Sequence, residues 1–295
     1  MTKIKLFFSF FLLLATGDLR AQEVATPLET PHDSLAVFHS YIESANWEVS
    51  KIANGVTWKY FHFDDLYASK QFITIIEVDP GKNIAVGMPY ITKGFMKTSK
   101  AAIEENAIAA INGSFFDTKV GGSTVFLRKN GEIINLTRGK FTHYREEAGF
   151  SIDKDGTVSI VKRPTEAEGG WPSVDAYTLL ASGPLLVYDG EIMDQLDQPF
   201  NTNRHPRTAI GITANKRIIC VVVDGRSSES YGMSTPELAN LMYALGCEQA
   251  MNLDGGGSST AWVRGKGIVN HPTDNKKFDS EGERAVANAI IFTGD

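Results

Sequence analysis

Short runs rich in Val, Ile, Phe and Thr, each closed by a turn-forming dipeptide, recur along this chain and restrict it to strand-rich folds. Trp47 to Ile52 and Val56 to Phe63 flank Asn54-Gly55, a strong hairpin signal because a tight turn needs positive φ at its centre. Phe72 to Val78 and Ile84 to Met88 flank Asp79-Pro80-Gly81. Further turns fall at Lys129-Asn130-Gly131, Asp155-Gly156, Asp189-Gly190 and Asn215-Lys216. Helical signals are fewer. Leu35, Phe38, Tyr41 and Ile42 share one face of a short amphipathic segment, and a second helix covers Ser99 to Asn106. The best-marked helix opens at Ser234-Thr235-Pro236-Glu237, an S-x-x-E capping box with proline in the first turn. Leu238, Leu241, Met242 and Leu245 give it an apolar face, and Gly246 closes it. With no regular βαβ alternation and no repeat, the expected class is α+β (mixed α/β). This means one strand-rich domain with a central mixed sheet and a few flanking helices.

The N-terminus reads as an export signal. Lys3 and Lys5 precede an apolar stretch from Leu6 to Ala15, and small residues allow cleavage after Gly17 or Ala21. Residues 1–22 are thus a signal peptide and 23–31 a polar linker with two prolines. Residues 32–104 are the N-terminal part of the domain, and 105–295 its motif-bearing core. The apolar stretch is too short to span a bilayer comfortably, so no stable membrane insertion is expected once the signal is removed, and the chain is read as periplasmic or extracellular. A hydrophobic content of 42% supports a substantial core, and a net charge of −6 with dispersed Lys and Arg excludes a nucleic-acid footprint. Cys220 and Cys247 are too few for a disulfide scaffold; an oxidising compartment would allow the two to pair, whereas the apolar run around Cys220 favours buried free thiols.

Four segments share one pattern, an apolar strand meeting a polar, glycine-bearing turn. They are Ala107 to Ile111 before Asn112-Gly113-Ser114, Arg204-His205-Pro206-Arg207-Thr208 before Ala209 to Thr213, Ile218 to Val223 before Asp224-Gly225-Arg226, and Met251 to Leu253 before Asp254 and three glycines. Ligand sites collect where loops converge at strand ends. Asp224 and Asp254 are joined by a strand–helix–strand unit, and parallel neighbouring strands would bring both carboxylates to one sheet edge. Taken singly, an Asp before Gly is commonly a turn residue, and His205 before proline shapes a loop more readily than it binds a metal. Together, two arginine forks suit a phosphate and two carboxylates suit glycosidic cleavage.

Other site classes fit poorly. The glycine run lacks the P-loop lysine, the six histidines are dispersed, and Ser182-Gly183-Pro184 is not a nucleophile elbow. Asp153-Lys154-Asp155-Gly156 lacks the glutamate of a calcium loop and reads as a hairpin turn, and Asp274 to Glu283 as a solvated acidic loop. No cofactor is called for, and metal dependence stays open.

In order, Asn112-Gly113-Ser114-Phe115-Phe116, Ser182-Gly183-Pro184-Leu185-Leu186, Pro206-Arg207-Thr208-Ala209-Ile210-Gly211, Asp224-Gly225-Arg226 and Leu253-Asp254-Gly255-Gly256-Gly257-Ser258-Ser259 resemble the phosphodiester glycosidase family. The resemblance spans about residues 105 to 292 and implies a mixed α/β fold that cleaves the glycosidic bond of a sugar-1-phosphodiester. It implies that Asp254, Asp224, Arg207 and Arg226 are catalytic, and that Asn112, Ser114, Thr208, Gly255, Gly256, Gly257, Ser258 and Ser259 surround the substrate. The expected partner is a carbohydrate phosphodiester, with cell-wall, capsular or dietary glycans as sources. Two other readings stay open on the residues alone: a phosphodiesterase cutting P–O, and a non-catalytic glycan-binding or envelope structural domain.

Overall fold

Ile218–Val223 is buried along its whole length, and its side chains divide between two cores. Ile219, Val221 and Val223 face one cluster, with Leu238, Leu241 and Met242 of the Thr235–Ala244 helix. Ile218, Cys220 and Val222 face the other, with Phe150, Leu127 and Ile290. Burial on both faces accounts for a strand with no polar alternation. The computed structural model describes residues 31–138 and 143–294, so the signal-peptide reading of 1–22 and nearly all of the 23–31 linker fall outside the described residues. Pro31, the last linker position in the sequence reading, starts the Pro31–Ser44 helix.

The strand lies inside an eight-stranded sheet, whose order runs Glu48–Ala53, Val56–Phe63, Gln71–Val78, Ile218–Val223, Arg207–Thr213, Cys247–Asn252, Leu185–Tyr188, Glu191–Ile192. The Thr235–Ala244 and Pro31–Ser44 helices cover one face of this sheet. Two five-stranded sheets pack on the other. One of them holds Ala109–Asn112 between Ala261–Val263 and Ala289–Thr293, and the other is built around Thr178–Ser182. The strand-rich α+β class is as expected. The central mixed sheet is not: every strand pair in the eight-stranded sheet is antiparallel.

The reason is one inserted strand. Arg207–Thr213 lies between Ile218–Val223 and Cys247–Asn252 and pairs antiparallel with both. The two outer strands therefore run in the same direction without being neighbours, and their C-terminal ends share an edge with the start of Arg207–Thr213. The expected convergence holds, with Arg207 between the two aspartates.

The turn chemistry follows the sequence closely. Asn54-Gly55, Asn130-Gly131, Asp155-Gly156, Asp189-Gly190 and Asn215-Lys216 each connect an antiparallel pair. Asp79-Pro80-Gly81 instead forms a 3-10 turn capped by the Asp79 carboxylate, and the strands on either side belong to different sheets. The Ser234 capping box is complete, with Ser234 Oγ accepting from Glu237 N and Glu237 Oε2 accepting from Ser234 N. Both cysteines are free and buried, on opposite faces of the central sheet. No helix among the described residues is long and apolar enough to cross a membrane.

Candidate active site

Asp254 follows the last residues of Cys247–Asn252 and is held by the neighbouring five-stranded sheet. Its N–H donates to the Gly113 carbonyl at 3.1 Å, and its carbonyl accepts from Asn112 Nδ2 at 2.7 Å. Leu253 N donates to the Thr208 carbonyl, so the turn is fixed from both sides. Asn112 is wholly buried, and its Oδ1 accepts from Thr208 Oγ1 at 2.8 Å and from Thr260 N at 3.1 Å. One amide thus joins three segments around the Asp254 peptide.

The three glycines admit backbone and guanidinium where a side chain would not fit. A Cβ on Gly255 would lie 2.6 Å from the Pro206 carbonyl, and one on Gly257 would lie 2.1 Å from an Asp274 carboxylate oxygen. Gly256 has φ +66°, and a Cβ there would stand 3.1 Å from Arg226 Nη2. The run forms a short 3-10 turn at Gly256–Ser258 that allows Arg226 to lie against it.

Asp254 opens into a cavity of about 280 Å³, lined also by Phe200, His205, Arg207, Arg226, Gly256 and Arg284. Asp254 is partly exposed as a residue where it lines the cavity, yet its carboxyl group is densely surrounded by protein. Burial pushes its pKa up to about 6; the nearby Ser258 hydroxyl, the Arg284 charge and the Gly255 N–H pull the other way. The Ser258 hydroxyl sits beside the carboxylate without meeting hydrogen-bond geometry. Burial, helped by the Arg226 charge, brings Arg207 down to about 10, so it stays charged at neutral pH. His205 is held below the usual histidine range by burial and by both arginines, so it is neutral at pH 7. The cavity is a cationic pocket around one proton-accepting group.

Asp224, at the end of the Ile218–Val223 strand, has a different environment. It is 1% exposed and does not line this cavity. Its Oδ1 accepts from Asn270 Nδ2 at 2.9 Å and from His271 N at 3.0 Å. Its Oδ2 lies 2.7 Å from His271 Nδ1 and also accepts from His271 N. An ionised carboxylate accepts only, so the ring donates through Nδ1. The group is saturated, and it anchors the 270–271 loop.

A model of the phosphodiester glycosidase family matches residues 105–293, well over half of the chain. The chain belongs to the phosphodiester glycosidase family. It is 43% identical over 176 residues to the SPbeta prophage-derived uncharacterized protein YomE of Bacillus subtilis, a match covering 56% of this chain and 26% of that one. The N-acetylglucosamine-1-phosphodiester alpha-N-acetylglucosaminidase of Mus musculus is 26% identical over 217 residues, 67% of this chain and 40% of the mouse protein. The chain thus spans less than half the length of these curated relatives. Among solved structures, the catalytic domain of the zebrafish N-acetylglucosamine-1-phosphodiester alpha-N-acetylglucosaminidase, auto-inhibited by its pro-peptide, aligns with a TM-score of 0.63 at 21% identity. That match covers 85% of each chain and shows a shared fold.

Of the residues expected to be catalytic for this family, the structure brings Asp254, Arg207 and Arg226 to one cavity and leaves Asp224 beside it. Arg207 is 1% exposed and also holds the scaffold: Nε donates to the Met233 carbonyl, and Nη2 to those of Phe200 and Asn203. Its Nη1 makes no hydrogen bond among the described residues and remains for the cavity. Of the expected substrate-binding set, Gly255 and Gly256 line the cavity. Asn112, Ser114 and Thr208 are buried and spent on internal hydrogen bonds, Ser114 Oγ donating to the Ala181 carbonyl at 2.7 Å. They position the site and do not face it. Ser258 and Ser259 are buried behind the glycines, their hydroxyls without hydrogen-bond partners among the described residues, and Gly257 backs onto the Asp274–Arg284 pair.

Sequence reasoning missed Arg284 and Phe200, and treated His205 only as a loop former. Arg284 is held by Asp274 through two bonds, Nε to Oδ2 at 2.9 Å and Nη2 to Oδ1 at 2.5 Å, which raise its pKa further. The segment expected to be a solvated acidic loop therefore delivers a third arginine. An arginine closing an acidic run, ten residues after an aspartate, was the available signal. Among the described residues, no group of three His, Cys, Asp or Glu is placed to hold a metal ion.

Proposed function

We propose that this chain is an exported hydrolase cleaving the glycosidic bond of a sugar-1-phosphodiester, with Asp254 at the anomeric centre and arginines at the phosphate. A single observation carries the reading: one carboxylate with a pKa of about 6 shares a 280 Å³ cavity with Arg207, Arg226 and Arg284. At neutral pH the Asp254 carboxylate is mostly ionised and can take a proton from a water attacking the anomeric carbon. The bond from that carbon to the bridging oxygen breaks, and its electron pair leaves on the phosphate. A phosphate monoester has a second pKa near 6, so it departs with little need for a proton. Guanidiniums fixed around it stabilise the charge that develops. This chemistry dispenses with the second carboxylate of an ordinary glycosidase, in keeping with Asp224 being saturated by Asn270 and His271. Family membership and the similarity to the mouse enzyme support the same bond class.

The test is turnover of sugar-1-phosphodiesters in ¹⁸O-enriched water by the purified protein. Cleavage at the anomeric carbon releases free sugar with no label in the phosphate. Label in the phosphate identifies P–O cleavage and refutes the assignment. Export is checked separately, by finding the chain outside the cytoplasm with a new N-terminus after Gly17 or Ala21.

A further inference from the structure

A second concavity of about 720 Å³ lies along the far side of the 270–279 segment. Its floor is the Val56–Phe63 and Gln71–Val78 pair, on the sheet face away from the Thr235–Ala244 helix. Alternation along those strands lines up Trp58, Tyr60 and Phe72, with Trp58 and Tyr60 stacked at 5.0 Å and Tyr60 and Phe72 at 5.6 Å. The facing wall is His271 stacked on Phe278 at 3.8 Å, with Phe72 edge-on to His271 at 4.6 Å. All five rings are partly exposed. Five aromatic rings left open to water along one groove are an unusual expense of apolar surface.

Its polar group is built from inside. His271 Nδ1 is held 2.7 Å from the fully buried Asp224 carboxylate, which fixes the ring and its tautomer. The other ring nitrogen, Nε2, makes no hydrogen bond among the described residues. The same segment also borders the candidate active site, because Asp274 holds Arg284 of the Asp254 cavity. Arg226, two residues after Asp224, lines that cavity as well. Groove and cavity are thus two sides of one structural unit.

We propose that this groove is a saccharide-binding subsite, holding neutral sugar rings of a glycan that extends from the bond cleaved at Asp254. Aromatic faces and edges pack against the C–H surfaces of pyranose rings, while an oriented imidazole nitrogen accepts from a sugar hydroxyl. The charge of the protein favours a neutral glycan over a single-stranded nucleic acid, which also stacks on aromatics. The chain carries −6 overall, and the groove is lined by one cation and one anion, Lys266, whose Nζ lies 5.1 Å from the Trp58 ring centroid, and Asp279. The inference rests on the glycosidase reading only for the direction in which the glycan runs.

The experiment is calorimetric titration of the full chain with hexasaccharides of β-1,4-glucose, α-1,4-glucose, β-1,4-N-acetylglucosamine and α-1,6-mannose, alongside hydrolysis of a methyl sugar-1-phosphodiester too small to reach the groove. At least one hexasaccharide binds, and both Tyr60→Ala and Trp58→Ala weaken it roughly tenfold, the scale of a lost aromatic contact. Hydrolysis of the methyl diester stays within about twofold in both variants. Tyr60→Ala guards against the case in which Trp58→Ala, closer to the core, lowers the folded fraction. Absence of binding by any hexasaccharide, unchanged affinity in folded variants, or preference for an oligothymidine probe overturns the subsite. Hexasaccharide binding without diester turnover keeps the subsite and removes the glycosidase reading; turnover without binding does the reverse.

Discussion

Asp224 and Asp254 end two strands of one sheet that run in the same direction, each followed by glycine, yet the structure puts them to opposite uses. Asp224 is enclosed by donors from the Asn270 side chain and from the backbone and ring of His271. Asp254 has the Gly255 N–H at 3.1 Å and otherwise faces a cavity with arginines across from it. The first carboxylate is saturated by hydrogen bonds. The second is desolvated without being satisfied, and its pKa rises to about 6. What separates the two aspartates here is the number of donors that reach them.

The largest expected effect tests that contrast directly. Asp254→Asn should lower kcat by about 10³-fold or more, because it removes the proton acceptor and leaves the arginines in place. The same substitution should stabilise the fold. The Asp254 carboxyl binds its proton more tightly in the folded chain, near 6, than unfolded, near 3.8, so folding disfavours the charged form. That cost is fully present above pH 6, shrinks as pH falls between 6 and 4, and is absent below. Asp254→Asn should therefore gain on the order of 2–3 kcal/mol at pH 7 and nothing at pH 3.5, read by denaturant titration. In the parent, kcat/KM should rise with pH through about 6 and then level off. A flat profile from pH 4 to 8 would remove Asp254 from the role of base.

Arg226→Ala comes next, with a loss of about 10²-fold in kcat/KM, measured on a phosphodiester and partly restored by lysine. Gly256→Ala sharpens the comparison from the backbone side. Its φ of +66° disfavours a side chain, and the added Cβ would stand 3.1 Å from Arg226 Nη2. A loss of about 1 kcal/mol in stability and about tenfold in activity is expected, seen together in melting and rate measurements. Asp224→Asn should be the mildest in rate, a few-fold, and clear in stability, about 1–3 kcal/mol, since it places an amide among donors that need an acceptor. Loss of turnover equal to that of Asp254→Asn, with an unchanged melting temperature, would erase the distinction between the two.

The turns and the capped helix were legible because their chemistry is local. Asn54-Gly55 and Asn130-Gly131 need only their own φ angles, positive at Gly55 (83°) and at both residues of the second pair (54° and 85°). The Ser234 box likewise closes within four residues. The antiparallel insertion of Arg207–Thr213 between the two aspartate strands is a long-range choice, and a strand–helix–strand spacing alone does not reveal it. At the site, Asp254, Arg207 and Arg226 stood out as polar residues at strand ends, and all three reach the cavity. Asn112 and Thr208 stood out for the same reason and turned inward, because the contact between two sheets needed the Asn112 amide to join them. Strand-end position identifies a junction, and whether a side chain there faces solvent or a neighbouring strand depends on packing that only the fold decides.

The two cysteines, placed on opposite faces of the central sheet, have a practical use in folding experiments. Burial pushes Cys247 up to about 12 and Cys220 higher still, so neither reacts while its own core is closed. Alkylation of Cys247 records the opening of the core under the Thr235–Ala244 helix, and alkylation of Cys220 the separation of the sheets. Quantified peptide by peptide during mild denaturation, the pair gives a two-channel record of whether the halves of this protein open together or one before the other.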